Sequence, residues 1–207
     1  AGTFSFEDGL ALVDARARYM QEACEATNGG MAAIIGAQEN EVRDLAAAAD
    51  VDVANINCPG QIVISGEASK VAVAAGMAKD FGARKAVELT VAGAFHSRLM
   101  EPAYQRLLEK LDSTPISQPS IPVVCNVDAR PVQTPEEIRR SLGEQVTGSV
   151  RWTECVEYLI DHCGVDLLVE LGPGGVLAGL AGRIRKGFPV LSAGNAPTVA
   201  DLAAALE

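Results

Sequence analysis

The stretch VDVANINCPGQIVISG, residues 51–66, reads as two short apolar strands around a tight turn at Pro59-Gly60, which makes it a hairpin. Upstream of it, MAAIIG (residues 31–36) has the character of a buried strand, and residues 38–50 form an Ala-rich helix. Downstream, residues 67–81 are helical and residues 84–91 return as a strand. Strand, helix, strand, strand, helix, strand is the split βαβ order of a ferredoxin-like unit, predicted here over residues 28–91. That topology names no function.

The flanking segments follow a different rhythm. Residues 6–27 place Leu10, Val13, Ala17, Met20 and Ala23 at helical spacing, with Glu7 and Asp8 suited to the helix start and Gly29-Gly30 to its stop. A second helix is predicted over residues 96–112, after the small-residue run Ala92-Gly93-Ala94. The Pro-rich residues 115–122 lead into a strand over 123–127. Thr134-Pro135-Glu136-Glu137 then supplies an N-cap, a proline at the first helical position and two acids in the first turn. Another helix follows Trp152. DLLVEL (residues 166–171) is a strand, and the GPGG at 172–175 opens a helix over 176–185. Strands and helices alternate here, so these segments belong to an α/β layer that the ferredoxin-like unit interrupts. The expected division is a large subdomain from residues 1–27 and 92–207, and a small one from residues 28–91.

Composition narrows the function. The 207 residues carry 17 Lys plus Arg against 27 Asp plus Glu, a net charge of −10, which argues against a nucleic-acid binder. No apolar run approaches the ~20 residues of a membrane span, and AGTFSFEDGL lacks the pattern of a signal peptide. Five cysteines without a CxxC pair point to reduced thiols and a cytoplasmic location.

Chemistry-bearing residues are few. Of the two histidines, His162 in DHCG suits a surface or helix-end position, whereas His96 sits at a strand-to-helix junction. Such junctions expose side chains at the sheet edges where open α/β folds place their active sites. His96 has two readings, a catalytic group or a cap for the next helix. No GxSxG elbow, cysteine nucleophile pattern or metal-ligand spacing occurs. The GPGG segment is neither GxGxxG nor GxxxxGK[ST], and Pro173 removes a donor, so a tight turn is favoured over a phosphate loop. Arg16 and Arg18, two apart on one helix, point to different faces; a buried one needs a carboxylate from the protein or from a substrate.

Four segments taken together, ARARYMQEA (15–23), NINCPGQIVISG (55–66), GAFHSRLM (93–100) and ELGPGGVLAGL (170–180), resemble in order and spacing the malonyl-CoA:acyl-carrier-protein transacylases. These acyltransferases load malonyl units for type II fatty-acid synthesis. The resemblance covers essentially the whole chain and implies an α/β-hydrolase-like acyltransferase core interrupted by the ferredoxin-like subdomain.

Residue by residue, it implies that His96 is the catalytic base and that Gln145 offers the carbonyl that fixes its tautomer. Arg16 would pair with the free malonyl carboxylate, and Phe95 would favour malonyl over branched acyl groups. Asn57 and Gln61 would line the cleft, and Arg84 and Lys85 would mark the CoA and carrier-protein entrance. Arg183, Arg185 and Lys186 form a further basic cluster, suited either to an acidic carrier protein or to a helix C-terminus. Malonyl-CoA and acyl carrier protein are the implied partners of a monomeric enzyme that needs no cofactor or metal.

One departure matters. The family's GQGxQ loop and its G-H-S-L-G-E elbow, which bears the nucleophilic serine, are absent. The chain is therefore expected to lack the family's N-terminal third and to be inactive alone. Close alternatives are an acyltransferase domain of a polyketide synthase and a carrier-docking module without chemistry.

Overall fold

The computed structural model describes residues 1–206. Two compact units make up the chain, Ala1–Trp152 and Thr153–Glu207.

The first unit opens with α1 (Phe6–Glu25), capped by Ser5, whose hydroxyl accepts the Asp8 amide at 3.0 Å. Four strands follow, β1 (Gly29–Ile35), β2 (Asp52–Cys58), β3 (Gln61–Glu67) and β4 (Lys85–Glu88). Between β1 and β2 lies α2 (Glu39–Ala49), and between β3 and β4 lies α3 (Ala68–Met77), continued by a 3-10 turn over Ala78–Phe81. The sheet order is β2-β3-β1-β4 and every pairing is antiparallel, which is the ferredoxin-like arrangement read from the sequence.

Alternation along the strands, interrupted in β2 by bulges between Val53 and Asn55 and between Ile56 and Cys58, gives this sheet two different faces. Ala32, Ile34, Ile56, Ile62 and Ile64 point toward α2 and α3 and build the main core with Val42, Leu45 and Val71. Met31, Ala54 and Val63 point the other way, where Ala33 and Phe95 pack against them. The second face is therefore where the chain leaving β4 returns with His96.

Beyond the sheet, a 3-10 turn (Arg98–Met100) leads into α4 (Glu101–Asp112), followed by β5 (Val123–Cys125), β6 (Arg130–Val132) and α5 (Pro135–Glu144). Helix α4 packs along α1 through Leu12, Met20, Ala23, Leu107 and Leu111. The start of α5 is the predicted one: Thr134 accepts the Glu137 amide at 3.2 Å, and Glu137 accepts the Thr134 amide at 3.2 Å.

The second unit holds α6 (Trp152–Asp161), β7 (Leu168–Leu171), α7 (Val176–Ile184), β8 (Val190–Ala193) and α8 (Ala196–Leu206). Strands β7 and β8 pair in parallel, so β7-α7-β8 is a crossover unit.

Several expectations need correction. Helix α1 ends at Glu25 with Ala26 as its C-cap, and Gly29-Gly30 open β1 instead of stopping the helix. Its covered face is Leu12, Ala15, Met20, Ala23 and Cys24, while Leu10 and Val13 are exposed. The helix expected from residue 96 begins at Glu101, where Pro102 occupies the first turn and has no amide to waste. The strands expected over 84–91 and 123–127 are shorter, Lys85–Glu88 and Val123–Cys125, and the second pairs with β6.

Close approach at Gly29 fixes how the sheet meets the His96 turn. A Cβ there would lie 2.6 Å from the Ala94 nitrogen and 2.8 Å from its Cβ. Gly29→Ala should therefore destabilise the protein by about 1–3 kcal/mol, because backbone must move. Gly76→Ala, on the exposed side of the last turn of α3 with nothing within 4 Å, should stabilise it by about 0.5–1 kcal/mol. Urea denaturation of the two variants should give shifts of opposite sign.

Candidate active site

His96 occupies an unusual backbone position, with φ 56° in the left-handed region. Non-glycine residues rarely hold that conformation unless their surroundings impose it. Ser97 is fully buried and its hydroxyl donates to the Ala94 carbonyl at 2.6 Å, closing the turn around the histidine. The same hydroxyl accepts the Leu99 amide at 3.2 Å, so the helix-capping role open to His96 belongs to Ser97. The imidazole is thereby left free for another task.

Its Nδ1 lies 3.0 Å from the backbone carbonyl of Gln145. A carbonyl only accepts, so Nδ1 carries the proton and the Nε2 lone pair is available as a base. Gln145 caps α5, and its side-chain amide donates to the Gly148 carbonyl at 3.0 Å and the Ser149 carbonyl at 3.4 Å. Residue 145 thus braces the loop that displays its own carbonyl. Burial pushes the His96 pKa below the ordinary histidine value. The Gln145 carbonyl opposes that shift, the positive charge of Arg16 adds to it, and the Gly148 backbone opposes it. The ring is accordingly neutral at pH 7.

A cavity of about 530 Å³ joins His96 to Arg16, Gln21, Met31, Asn55 and Phe95. Arg16 is half-buried, and burial lowers its pKa. No ion pair or hydrogen bond links its guanidinium to another described residue. Its neighbour Arg18 is exposed and satisfied by Asp14 at 3.0 Å, which settles which of the two arginines faces the interior. Arg43, Arg98, Arg106, Arg139, Arg140 and Arg185 likewise have carboxylate partners. A half-buried guanidinium beside a neutral imidazole base, with no carboxylate of its own, is a site suited to an anionic substrate that reacts by proton transfer.

Phe95 packs between the α1–α4 core and the second face of the sheet, so its ring forms one wall of the cavity. Asn57 and Gln61 lie at the turn end of β2 and β3. Asn55, earlier on β2, lines the cavity that holds His96 and Arg16. Sequence alternation did not separate Asn55 from Asn57, because β2 is bulged between Val53 and Asn55 and again between Ile56 and Cys58. Arg84 and Lys85 are exposed where β4 begins, and Lys85 is paired with Ile35. Leu89, which lines the cavity, is four residues further along, or roughly 13 Å of extended chain from Lys85.

Other sequence candidates resolve within the second unit. The Glu170 carboxylate accepts the amides of Leu177 at 3.1 Å and Ala178 at 3.0 Å, and these bonds hold its pKa below the usual carboxylate range. The start of α7 after GPGG is therefore filled by the protein's own anion, as a turn and not a phosphate loop. Arg185 pairs with Asp161 at 2.6 Å. His162 stacks on Tyr158 with 4.8 Å between ring centroids. Among the described residues, no group of three or more His, Cys, Asp or Glu could hold a metal ion, and no helix is long and apolar enough to cross a membrane.

The chain belongs to the acyl transferase domain family, whose sequence pattern matches residues 1–186. It is 38% identical over 204 residues to the malonyl CoA-acyl carrier protein transacylase of Bacillus subtilis (strain 168), covering 96% of this chain and 64% of that one. The transacylase of the same description from Escherichia coli (strain K12) is 39% identical over 211 residues, covering 100% of this chain and 67% of that one. The crystal structure of an acyl-carrier-protein-S-malonyltransferase from Bartonella henselae superposes with a TM-score of 0.92 at 39% identity, covering 99% of this chain and 66% of that one. The α/β fold with its ferredoxin-like sheet is thus the fold of these enzymes. The chain spans about two thirds of their length.

Proposed function

We propose that this chain supplies the base and the substrate clamp of a malonyl-CoA:acyl-carrier-protein transacylase acting in cytoplasmic type II fatty-acid synthesis. The observation that carries the reading is the His96–Gln145 pair opening on the same cavity as the unpartnered Arg16. A serine hydroxyl attacks the thioester carbonyl of malonyl-CoA while His96 Nε2 takes its proton. The carbon–sulfur bond breaks, and the departing CoA sulfur receives that proton from His96. In the second half, the phosphopantetheine thiol of acyl carrier protein gives its proton to His96 and attacks the acyl-serine. The serine oxygen leaves with the proton returned by the imidazole.

Arg16 holds the malonyl carboxylate throughout, with Phe95 as the wall beside it. Arg84 and Lys85 offer the carrier protein a local positive patch on a chain whose net charge is −10. Asn57 and Gln61 add polarity to the hairpin end of the small subdomain.

The serine elbow of the family does not occur in this sequence. On this reading it belongs to the portion of the relatives' length that the chain does not match. Phe6, Leu10 and Val13 support this, because they leave an apolar stripe on α1 exposed for such a segment to cover. Residues 1–27 and 92–207 would then complete the large subdomain and residues 28–91 the small one.

Intact-mass measurement after incubation with malonyl-CoA tests the proposal. The protein extended to the length of its relatives should carry one malonyl adduct, and the 207-residue chain none. A folded, extended protein that stays unmodified would sink the reading.

A further inference from the structure

The histidine turn and the loop that supplies its partner carbonyl are both fastened to one strand, β2. On the partner side, the Val150 amide donates to the Ala54 carbonyl at 2.8 Å, and the Ile56 amide donates to the Val150 carbonyl at 2.8 Å. The Ser149 hydroxyl donates to the Val53 carbonyl. On the histidine side, the first residue of β2 does the fastening. Asp52 accepts the Arg98 backbone amide at 2.9 Å, and both of its oxygens lie 3.1 Å from Arg98 Nε, with Nη2 at 2.9 Å from Oδ1. Arg98 Nη1 reaches Asp50 Oδ1 at 2.7 Å, and Asp50 is held in turn by Lys70 at 2.8 Å.

We propose that Asp52 is a positioning residue that, through Arg98, keeps the Nδ1–H of His96 on the Gln145 carbonyl. The inference rests on the reading of His96 as the base.

An isolated exposed ion pair does little, because water and salt screen it. This contact differs in two respects. It is a planar fork on a carboxylate, which fixes direction as well as distance. It also includes a backbone amide two residues from a histidine held at positive φ, a conformation that relaxes when its surroundings let go. With Arg98 released, the turn can rotate toward ordinary φ and the ring leaves the Gln145 carbonyl. Other charged groups near the ring are Arg16 on α1, with Arg43 on α2 and Glu101 on α4 lining the cavity on the Asp52 side. Of these, Glu101 meets the turn through its own backbone amide, which donates to the Arg98 carbonyl.

The 207-residue chain has only two histidines, so nitrogen-15 and proton NMR of the imidazoles tests this directly. His162, stacked on Tyr158 in the second unit, serves as the internal reference. The wild-type His96 ring should show the Nδ1–H tautomer with a ring proton protected from solvent. Asp52→Ala should speed exchange of that proton by about tenfold or more and mix in the Nε2–H tautomer. Asp52→Asn, which keeps an acceptor for the Arg98 amide, should fall between the two. Arg98→Met, which removes the fork but leaves the Arg98 amide on Asp52, should also speed exchange, though less than Asp52→Ala, and it leaves β2 unaltered, which covers the case that the aspartate variant fails to fold. Asp14→Ala, which removes the exposed partner of Arg18, should change nothing at His96.

A ring proton equally protected in Asp52→Ala and Arg98→Met overturns the positioning role and leaves the base reading standing. A wild-type ring already in the Nε2–H form overturns both.

Discussion

On the proposed reading, replacing His96 by alanine in the protein extended to the length of its relatives should abolish acyl-serine formation, with malonyl transfer falling by about 10³-fold or more. The loss is that large because a serine hydroxyl is almost wholly protonated at neutral pH and nothing else at the site takes its proton. Arg16, the other polar group with a charge in the cavity, only donates. Folding should be little affected, since the ring is only half-buried and the turn is closed by Ser97.

The same assignment fixes a pH dependence. Deprotonated imidazole is the active form, and burial lowers its pKa below the ordinary histidine value. The kcat/KM for acylation should stay level as pH falls through the usual histidine range and decline only on its acid side. A decline centred above that range would contradict the buried environment. Mass spectrometry after malonyl-CoA treatment, with rates measured across pH, checks both statements. Near-normal labelling of the alanine variant would reduce His96 to a structural residue.

The small subdomain was legible from sequence because its signals are local. Alternating apolar residues, a Pro-Gly turn and two Ala-rich helices decide βαββαβ without reference to the rest of the chain, and the sheet has that order. The Thr134–Glu137 capping box was legible for the same reason.

What misled was a question of which face is covered by what. Helix α1 carries apolar residues on more than one side, and periodicity selects Leu10 and Val13, whereas the fold covers Leu12 and Ala15. Sequence cannot weigh one partner against another. The left-handed His96 was also hidden, since its conformation comes from Ser97, Gly29 and Arg98 acting across up to 67 positions of chain. Pro102 would have placed the true start of α4, because proline belongs in a first helical turn. Among site residues, the structure places His96 Nδ1 on the Gln145 carbonyl and leaves Arg16 half-buried beside it, a juxtaposition that no local pattern in the sequence displays. Asn55 lay inside a quoted motif without being singled out.

Arg16→Ala should separate malonyl from acetyl transfer. Two charge-assisted hydrogen bonds from a guanidinium fork to a carboxylate contribute about 1.5–3 kcal/mol each. Their loss should lower kcat/KM for malonyl-CoA by at least about 100-fold. Acetyl-CoA offers no carboxylate, so the wild-type enzyme must leave a half-buried guanidinium unpaired when it binds that thioester. The alanine variant removes that mismatch, and acetyl transfer should hold steady or rise. Arg16→Lys should keep the charge but lose the fork, which puts malonyl transfer between wild type and alanine. A second consequence follows from electrostatics. The Arg16 charge helps to depress the His96 pKa, so its removal should move the acid limb of the rate profile toward higher pH, whichever thioester is used. Parallel assays with both thioesters distinguish a carboxylate clamp from a general support of the cleft. Equal losses for the two substrates would mean that Arg16 holds the architecture and that malonyl recognition lies elsewhere.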